Sequence, residues 1–228
     1  MNITIVSKDK RFEYLNSSLN ELGYNSKIAE ITEIIDTDML ILGVRREYTD
    51  SEYNSLIHNC KAKKILSPSY IKNTIDYTNN EVFLKQNAYI TAEGAICLYY
   101  ESVKESLHSK RALILGYGRI GKYLANMLKN LNCQVYAYAR RKEIQKEILI
   151  DGYTPVELKN DGYDIVFNTI PEIVTDSEFE KCICIELANG FKTKDKVING
   201  NGLPGKMFPK TASQIILNAI LPYIKEMT

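Results

Sequence analysis

Ala112-Leu-Ile-Leu-Gly116-Tyr-Gly118-Arg-Ile-Gly121 is the stretch whose reading decides the fold. Lys110 to Leu115 is a short apolar run of the kind that forms a buried strand. After it, Ile120, Tyr123, Leu124, Met127, Leu128 and Leu131 recur at each step expected of one helix face. The three glycines between strand and helix stand at G-x-G-x-x-G spacing and have separate physical tasks. Gly116 permits the tight turn, Gly118 lets the backbone approach a diphosphate with no Cβ in the way, and Gly121 lets the helix lie close on the strand. Free amides at the helix start face the anion, and the helix dipole adds to the attraction. The turn Gly116, Tyr117, Gly118, Arg119, Ile120, Gly121 is therefore the expected seat of a dinucleotide pyrophosphate; the plainer alternative is an ordinary glycine turn in a sheet.

Working outward, Cys133 to Ala139 reads as the next strand, and it ends in Tyr138-Ala139-Arg140-Arg141-Lys142. NAD-binding domains usually place an acid near this point to accept from the ribose hydroxyls. A guanidinium would instead bind a 2′-phosphate through charge-assisted hydrogen bonds worth roughly 1.5 to 3 kcal/mol. Arg140 and Arg141 therefore predict NADP over NAD, against the alternative of a solvated basic loop leading into a helix at Glu143. Asp164 to Asn168, Cys182 to Leu187 and Lys196 to Ile198 supply further strands. The turn Asn168, Thr169, Ile170, Pro171 follows the fourth strand of this half, where the nicotinamide ribose usually sits; an Asx turn before proline is an equally good reading.

Upstream, β-rich runs alternate with helical patterns from the first residue, the sequence form of a doubly wound parallel sheet. Ile3 to Val6, Ser26 to Ala29, Met39 to Val44 and Lys64 to Leu66 read as strands. Phe12, Leu15, Leu19 and Leu22 mark a helix stopped by Gly23, and Asp50 to Cys60 and Ser69 to Asp76 read as helices. A long helix is expected from an N-cap at Thr91 to about His108, connecting the halves. An amphipathic helix from Thr211 to about Met227 closes the chain, kinked or ended early by Pro222. The predicted fold class is α/β with two lobes: a small N-terminal doubly wound α/β domain (1–90) and a C-terminal NAD(P)-binding Rossmann domain (91–210), joined by the long helix. Residues 211–228 are expected to pack back across the lobes.

The 228 residues balance 29 Lys and Arg against 28 Asp and Glu, for a net charge of +1. That leaves no broad field to hold a nucleic-acid backbone, so nucleic acid is not expected as a partner. No apolar run approaches the roughly 18 residues of a membrane span, and Met1 to Val6 does not read as a signal peptide, so no membrane partner and a cytoplasmic location are expected. Cys60, Cys97, Cys133, Cys182 and Cys184 lie in or beside apolar runs and read as reduced core residues. A metal or redox role for the Cys182/Cys184 pair has no second pair to complete it, so no metal is expected.

Several stretches resemble the family of dipicolinate synthase A subunits. They are Asn87-Ala-Tyr-Ile-Thr91-Ala-Glu93-Gly94, the Leu115-Gly-Tyr-Gly-Arg119-Ile-Gly121 turn, Asn168-Thr-Ile-Pro171, and above all Gly202-Leu-Pro-Gly205-Lys-Met-Phe-Pro209-Lys210-Thr211-Ala212. The similarity runs from about Asn87 to the C-terminus, and the first lobe looks shorter than the family's usual N-terminal domain. The resemblance implies oxidation of dihydrodipicolinate to dipicolinate in spore formation, in the mother cell, together with a second, flavoprotein-like dipicolinate synthase B subunit; a homodimer is also compatible with it. A substrate with two carboxylates wants fixed donors. The 202–210 loop offers amides at Gly202 and Gly205 before a helix start at Thr211, with Lys210 the first choice for a carboxylate contact and the alternative of a surface lysine. Glu93, expected in the first turn of the connecting helix beside Thr91, is a candidate proton acceptor or a dipole-compensating acid. Arg45 and Arg46, after a predicted strand, are candidates for a second carboxylate clamp or a solvated loop.

Two other readings compete. A 2-hydroxyacid dehydrogenase shares the two-lobe plan but normally uses a histidine beside an arginine. Here only His58 and His108 exist, neither at the carboxyl end of a predicted Rossmann strand. The third reading is a non-catalytic NADP-binding or assembly protein whose first lobe has lost its substrate pocket.

Overall fold

A computed structural model describes residues 1–159, 162–171, 179, 182–190 and 197–227. The chain divides into two compact units, Met1–Asn87 with Pro204–Thr228, and Ala88–Leu203.

The first unit begins with β1 (Asn2–Val6), α1 (Lys10–Glu21), β2 (Asn25–Ile28) and β3 (Asp36–Leu42). It continues with α2 (Asp50–Asn59), β4 (Lys61–Ser67) and β5 (Ile75–Asp76). The five strands are parallel in the order β2-β1-β3-β4-β5. This is a doubly wound, flavodoxin-like order whose crevice lies outside the carboxyl ends of β1 and β3. Ile3, Ile5, Met39, Leu40, Ile41 and Leu42 are fully buried, as expected of strands covered on both faces. Asp9 caps α1 by accepting from Arg11 N–H at 3.0 Å. The helix ends in a Schellman turn: Tyr24 N–H reaches Leu19 O, Gly23 N–H reaches Asn20 O, and Gly23 takes φ +87. Thr49 and Glu52 form a reciprocal capping box on α2.

The second unit takes over within α3 (Glu81–Val103). It holds β6 (Arg111–Leu115), α4 (Arg119–Asn130), β7 (Gln134–Tyr138), α5 (Lys142–Ile150) and β8 (Thr154–Val156), followed by β9 (Ile165–Asn168), β10 (Ile183–Glu186) and β11 (Val197–Asn199). Its six parallel strands stand in the order β11-β10-β9-β6-β7-β8, the doubly wound order of the dinucleotide-binding fold, with the switch point between β6 and β9. The predicted α/β class with a Rossmann second half is what the chain adopts. Lys196, expected to open the last strand, lies outside the described residues. After β11 come α6 (Leu203–Met207) and α7 (Pro209–Lys225).

Several expected boundaries are corrected. The long helix does not start at Thr91: Asn80 Oδ1 accepts from Phe83 N–H at 2.8 Å and starts it upstream, leaving Thr91 buried in mid-helix. It ends at Val103, where Lys104 turns left-handed at φ 60, so His108 is exposed in a following loop and not at the helix end. Ser69 to Asp76 is not helical. Tyr70 OH is drawn to the carbonyls of Gly43 and Arg45, Asn73 takes φ 61, and the segment ends in β5. Pro222 does not end the last helix, because Ile220 and Ile224 on either side of it are fully buried and that burial outweighs one lost backbone bond.

The expected division at 90/91 and 210/211 also shifts. Residues 204–210 belong with the first unit, and α7 packs there on α1. Lys64 holds the end of this segment by an ion pair to Glu226 at 2.8 Å.

Gly205, in α6, shows why this short helix needs glycine where it meets α1. A Cβ at Gly205 would lie 2.9 Å from Arg11 Nε and 3.0 Å from Asp9 Oδ1. These two side chains form a bidentate pair at 2.9 and 2.5 Å, with Arg11 only 3% exposed. Burial raises the Asp9 pKa, but the Arg11 hydrogen bonds and charge outweigh it and hold the carboxyl below its ordinary 3.8. The pair therefore stabilises the fold above that ordinary value, and the contribution is lost as pH falls through the lowered folded value. Gly205→Ala should cost about 1–3 kcal/mol by urea unfolding, because the pair cannot yield without breaking its own bonds.

Candidate functional site

Residues 112–115 of β6 are fully buried, so the strand delivers the glycine turn from a rigid base. Gly116 takes φ +97, and a Cβ there would lie 2.5 Å from Thr169 Oγ1 and 2.7 Å from Ile170 Cγ2. At Gly121 a Cβ would fall 2.2 Å from Gly116 O, so only glycine lets α4 come this close to the turn. At Gly118 it would meet nothing within 4 Å. Protein packing thus demands glycine at 116 and 121 but not at 118. Gly118 is the N-cap of α4 and offers no side chain to its first amides. A backbone cradle open on one side in this way fits a diphosphate.

Arg119 is exposed and Ile120 half-buried in the first turn of α4. Tyr117 points elsewhere. Its OH donates to Asp151 Oδ2 at 2.7 Å, its ring meets Tyr153 edge-on at 6.1 Å, and the Lys122 ammonium lies 5.7 Å from its centroid. Burial, followed by the Asp151 carboxylate, pushes the phenol pKa far above its usual range. Tyr117 is therefore a strut fastening the turn to the end of α5, and it leaves only main-chain groups to a ligand.

The end of β7 lies beside the turn, with Gly116 N–H bonded to Tyr138 O at 3.0 Å. Gln145 Nε2 holds Ala139 O at 2.8 Å. Arg140 and Arg141 follow, both exposed, with Arg141 the N-cap of α5. Across the switch point, Thr169 Oγ1 donates to Leu115 O at 2.8 Å, and Asn168 Oδ1 accepts from Ile170 N–H at 3.1 Å, an Asx turn. The second unit therefore brings together the glycine turn, Arg140 with Arg141, and the 168–171 turn. Sequence reading missed Glu186, the buried last residue of β10, which Asn168 Nδ2 meets at 2.9 and 3.1 Å. A lone acid closing the apolar run from Cys182 was the available signal.

In the first unit, Arg45 and Arg46 follow β3 at its carboxyl end and are exposed. Arg46 pairs with Asp50 at 3.0 Å and lies over the Tyr70 ring at 5.4 Å. The crevice beside them already holds a carboxylate: Glu47 accepts from Ser7 Oγ at 2.8 Å and from Lys8 N–H at 2.6 Å. Gly205 reaches this same end of the unit through Asp9 and Arg11. Lys210 and Thr211 lie in the first turn of α7, exposed, after Pro209 and not at the expected helix start of Thr211. Glu93 is exposed in the middle of α3, so it compensates no dipole; Glu81 holds that place. Thr91 and Glu93 belong to the second unit with Gly202, while Gly205, Lys210 and Thr211 belong to the first.

Cys182 and Cys184 are buried core residues, and burial pushes the Cys133 thiol up to about 11. Among the described residues no cluster of His, Cys, Asp and Glu is arranged for a metal, and no helix is long and apolar enough to cross a membrane.

Residues 84–180 match the family model for the D-isomer specific 2-hydroxyacid dehydrogenase, NAD binding domain. The dipicolinate synthase A subunit of Bacillus subtilis (strain 168) is 30% identical over 160 residues, an alignment spanning 62% of this chain and 54% of that protein. The chain thus matches about half the length of that relative. The crystal structure of the dipicolinate synthase A subunit from Bacillus halodurans superposes with a TM-score of 0.81 at 19% identity, covering 98% of this chain and 97% of that one. The apo-structure of D-lactate dehydrogenase from Escherichia coli superposes with a TM-score of 0.66 at 12% identity, covering 100% of this chain and 98% of that one. These likenesses establish the shared fold; the dipicolinate synthase A subunits are matched in sequence and in structure, and so are the D-isomer specific 2-hydroxyacid dehydrogenases.

The glycines give a direct test. Gly121→Ala should lower stability by about 3 kcal/mol by thermal or urea unfolding, since the clash is with backbone. Gly118→Ala should stay within about 1 kcal/mol of the parent, because its Cβ enters open space.

Proposed function

We propose that the chain is an NADP-dependent oxidoreductase that dehydrogenates dihydrodipicolinate to dipicolinate, acting with a second, flavoprotein-like protein, the synthase's B subunit. The observation that carries the proposal is the glycine turn: two of its glycines are required by packing, and the third is left free on the open side. Gly116, Gly118 and Gly121, with the amides of Tyr117, Arg119 and Ile120, would hold the pyrophosphate, and Arg140 and Arg141 the 2′-phosphate. Asn168 to Pro171 would border the nicotinamide end. The bound nicotinamide accepts a hydride.

Aromatisation removes one hydride and one proton from the dihydropyridine ring, so the protein's task is to hold the ring and take the proton. Glu93 is the candidate proton acceptor. Lys210, Arg45 and Arg46 are candidate carboxylate contacts, and Thr91, Gly202, Gly205 and Thr211 are further candidate substrate contacts. Neither histidine suits the hydroxyacid alternative, since His58 lies in the last turn of α2 in the first unit and His108 in the loop after α3. One observation favours a cofactor-binding protein without turnover: Glu47 already occupies Ser7 Oγ and Lys8 N–H in the first-unit crevice.

Titration of the purified chain should give NADP about tenfold or more tighter than NAD, and the double variant Arg140→Ala/Arg141→Ala should abolish the difference. Equal or tighter NAD binding by the parent chain sinks the NADP assignment. Turnover is read from pyridine absorbance with dihydrodipicolinate and NADP, with and without a flavoprotein partner. Glu93→Gln and Lys210→Ala should each lower it at least about tenfold; both at parental rates would remove those roles. NADP binding with no turnover under either condition supports the non-catalytic reading.

A further inference from the structure

We infer that Glu186 is a positioning residue of the cofactor site: its buried carboxylate holds Asn168, and through it the 168–171 turn, against Gly116. The inference deepens the nicotinamide reading and rests on it. Glu186 ends β10 and Asn168 ends β9, and the two are register partners in the parallel pair. Glu186 is 4% exposed and Asn168 fully buried. Asn168 Nδ2 donates to both Glu186 oxygens, at 3.1 and 2.9 Å, and to Ile170 O at 3.1 Å, while its Oδ1 accepts from Ile170 N–H at 3.1 Å. The amide of Asn168 thus faces Glu186 on one side and folds the next two residues back on the other. Those residues, Thr169 and Ile170, put Oγ1 and Cγ2 into the space a Cβ at Gly116 would need. Thr169 Oγ1 also donates to the carbonyls of Leu115 and Gly116.

The chemistry requires an acceptor at 186. Asn168 Nδ2 and the Ala188 amide, which reaches Oε1 at 2.5 Å, are both donors. Glutamine would turn an NH2 toward one of them. A buried carboxylate is costly unless its oxygens are hydrogen-bonded, and here both are. It lies at the strand ends, beside the switch point where open α/β sheets receive ligands, and not in the middle of the sheet, where it would serve packing alone.

The test compares the parent chain with Glu186→Gln, Glu186→Ala, Asn168→Ala and the Asn168→Ala/Glu186→Ala pair. Amide hydrogen exchange is followed without cofactor, and affinity by NADPH fluorescence. Both Glu186 variants should speed exchange at 168–170 and 116–118 while β6 and β7 stay protected, and should weaken NADPH binding about tenfold. The double variant should bind no more weakly than the weaker single, because one residue acts through the other. Glu186→Gln keeps the side-chain volume and carries the test if the alanine variant does not fold. Unchanged exchange, faster exchange with parental affinity, or additive losses would overturn the inference. A parent chain that takes up no nicotinamide cofactor would instead strike the functional reading, with exchange still judging the clamp.

Discussion

The architecture of the second unit depends on how closely α4 approaches the turn that precedes it. With Gly116 O only 2.2 Å from where a Cβ at 121 would sit, the helix lies against backbone with nothing between. That approach aims the first turn of α4 across the end of β6 and leaves Gly118 on the open side. It also leaves room for Thr169 and Ile170 to cover Gly116 from β9. The turn is thus assembled from parts that exclude a side chain at 121 for the helix and at 116 for the neighbouring turn, while 118 stays on the open side.

Elements whose information is local were legible. The helix at 119–130 was readable from Ile120 to Leu131 because its apolar face is intrinsic to the sequence, and the glycine turn because strand and helix flank it. Misreadings came where a distant contact decides. Thr91 is a plausible cap, yet Asn80 caps first and the flanks of Thr91 are buried. Ser69 to Asp76 has helical spacing, but Tyr70 finds two carbonyls after β3 that the local pattern cannot announce. Pro222 is tolerated because burial on α1 outweighs it.

Glu186 was illegible for the same reason. Its partner is set by the register of β9 and β10, which exists only once both strands are in the sheet. The acid itself was visible in the sequence, but its bond to Asn168 was not. In the first unit, likewise, Arg45 and Arg46 were visible as charges after a strand. That Glu47 beside them occupies the crevice follows from Gly43, where a Cβ would lie 2.8 Å from Ser7 Oγ and 3.0 Å from Glu47 Oε1.

Residues 204–228 complete a unit whose other part is residues 1–87, while the unit between them is continuous in sequence. Order of synthesis therefore differs from order of completion. On the ribosome the second unit has all its strands before α7 emerges, and the face of α1 that α7 covers stays bare until then. A helix translated before that whole fold is thus among the last to reach its finished state, and its apolar surface is open to chaperones and to aggregation throughout the interval.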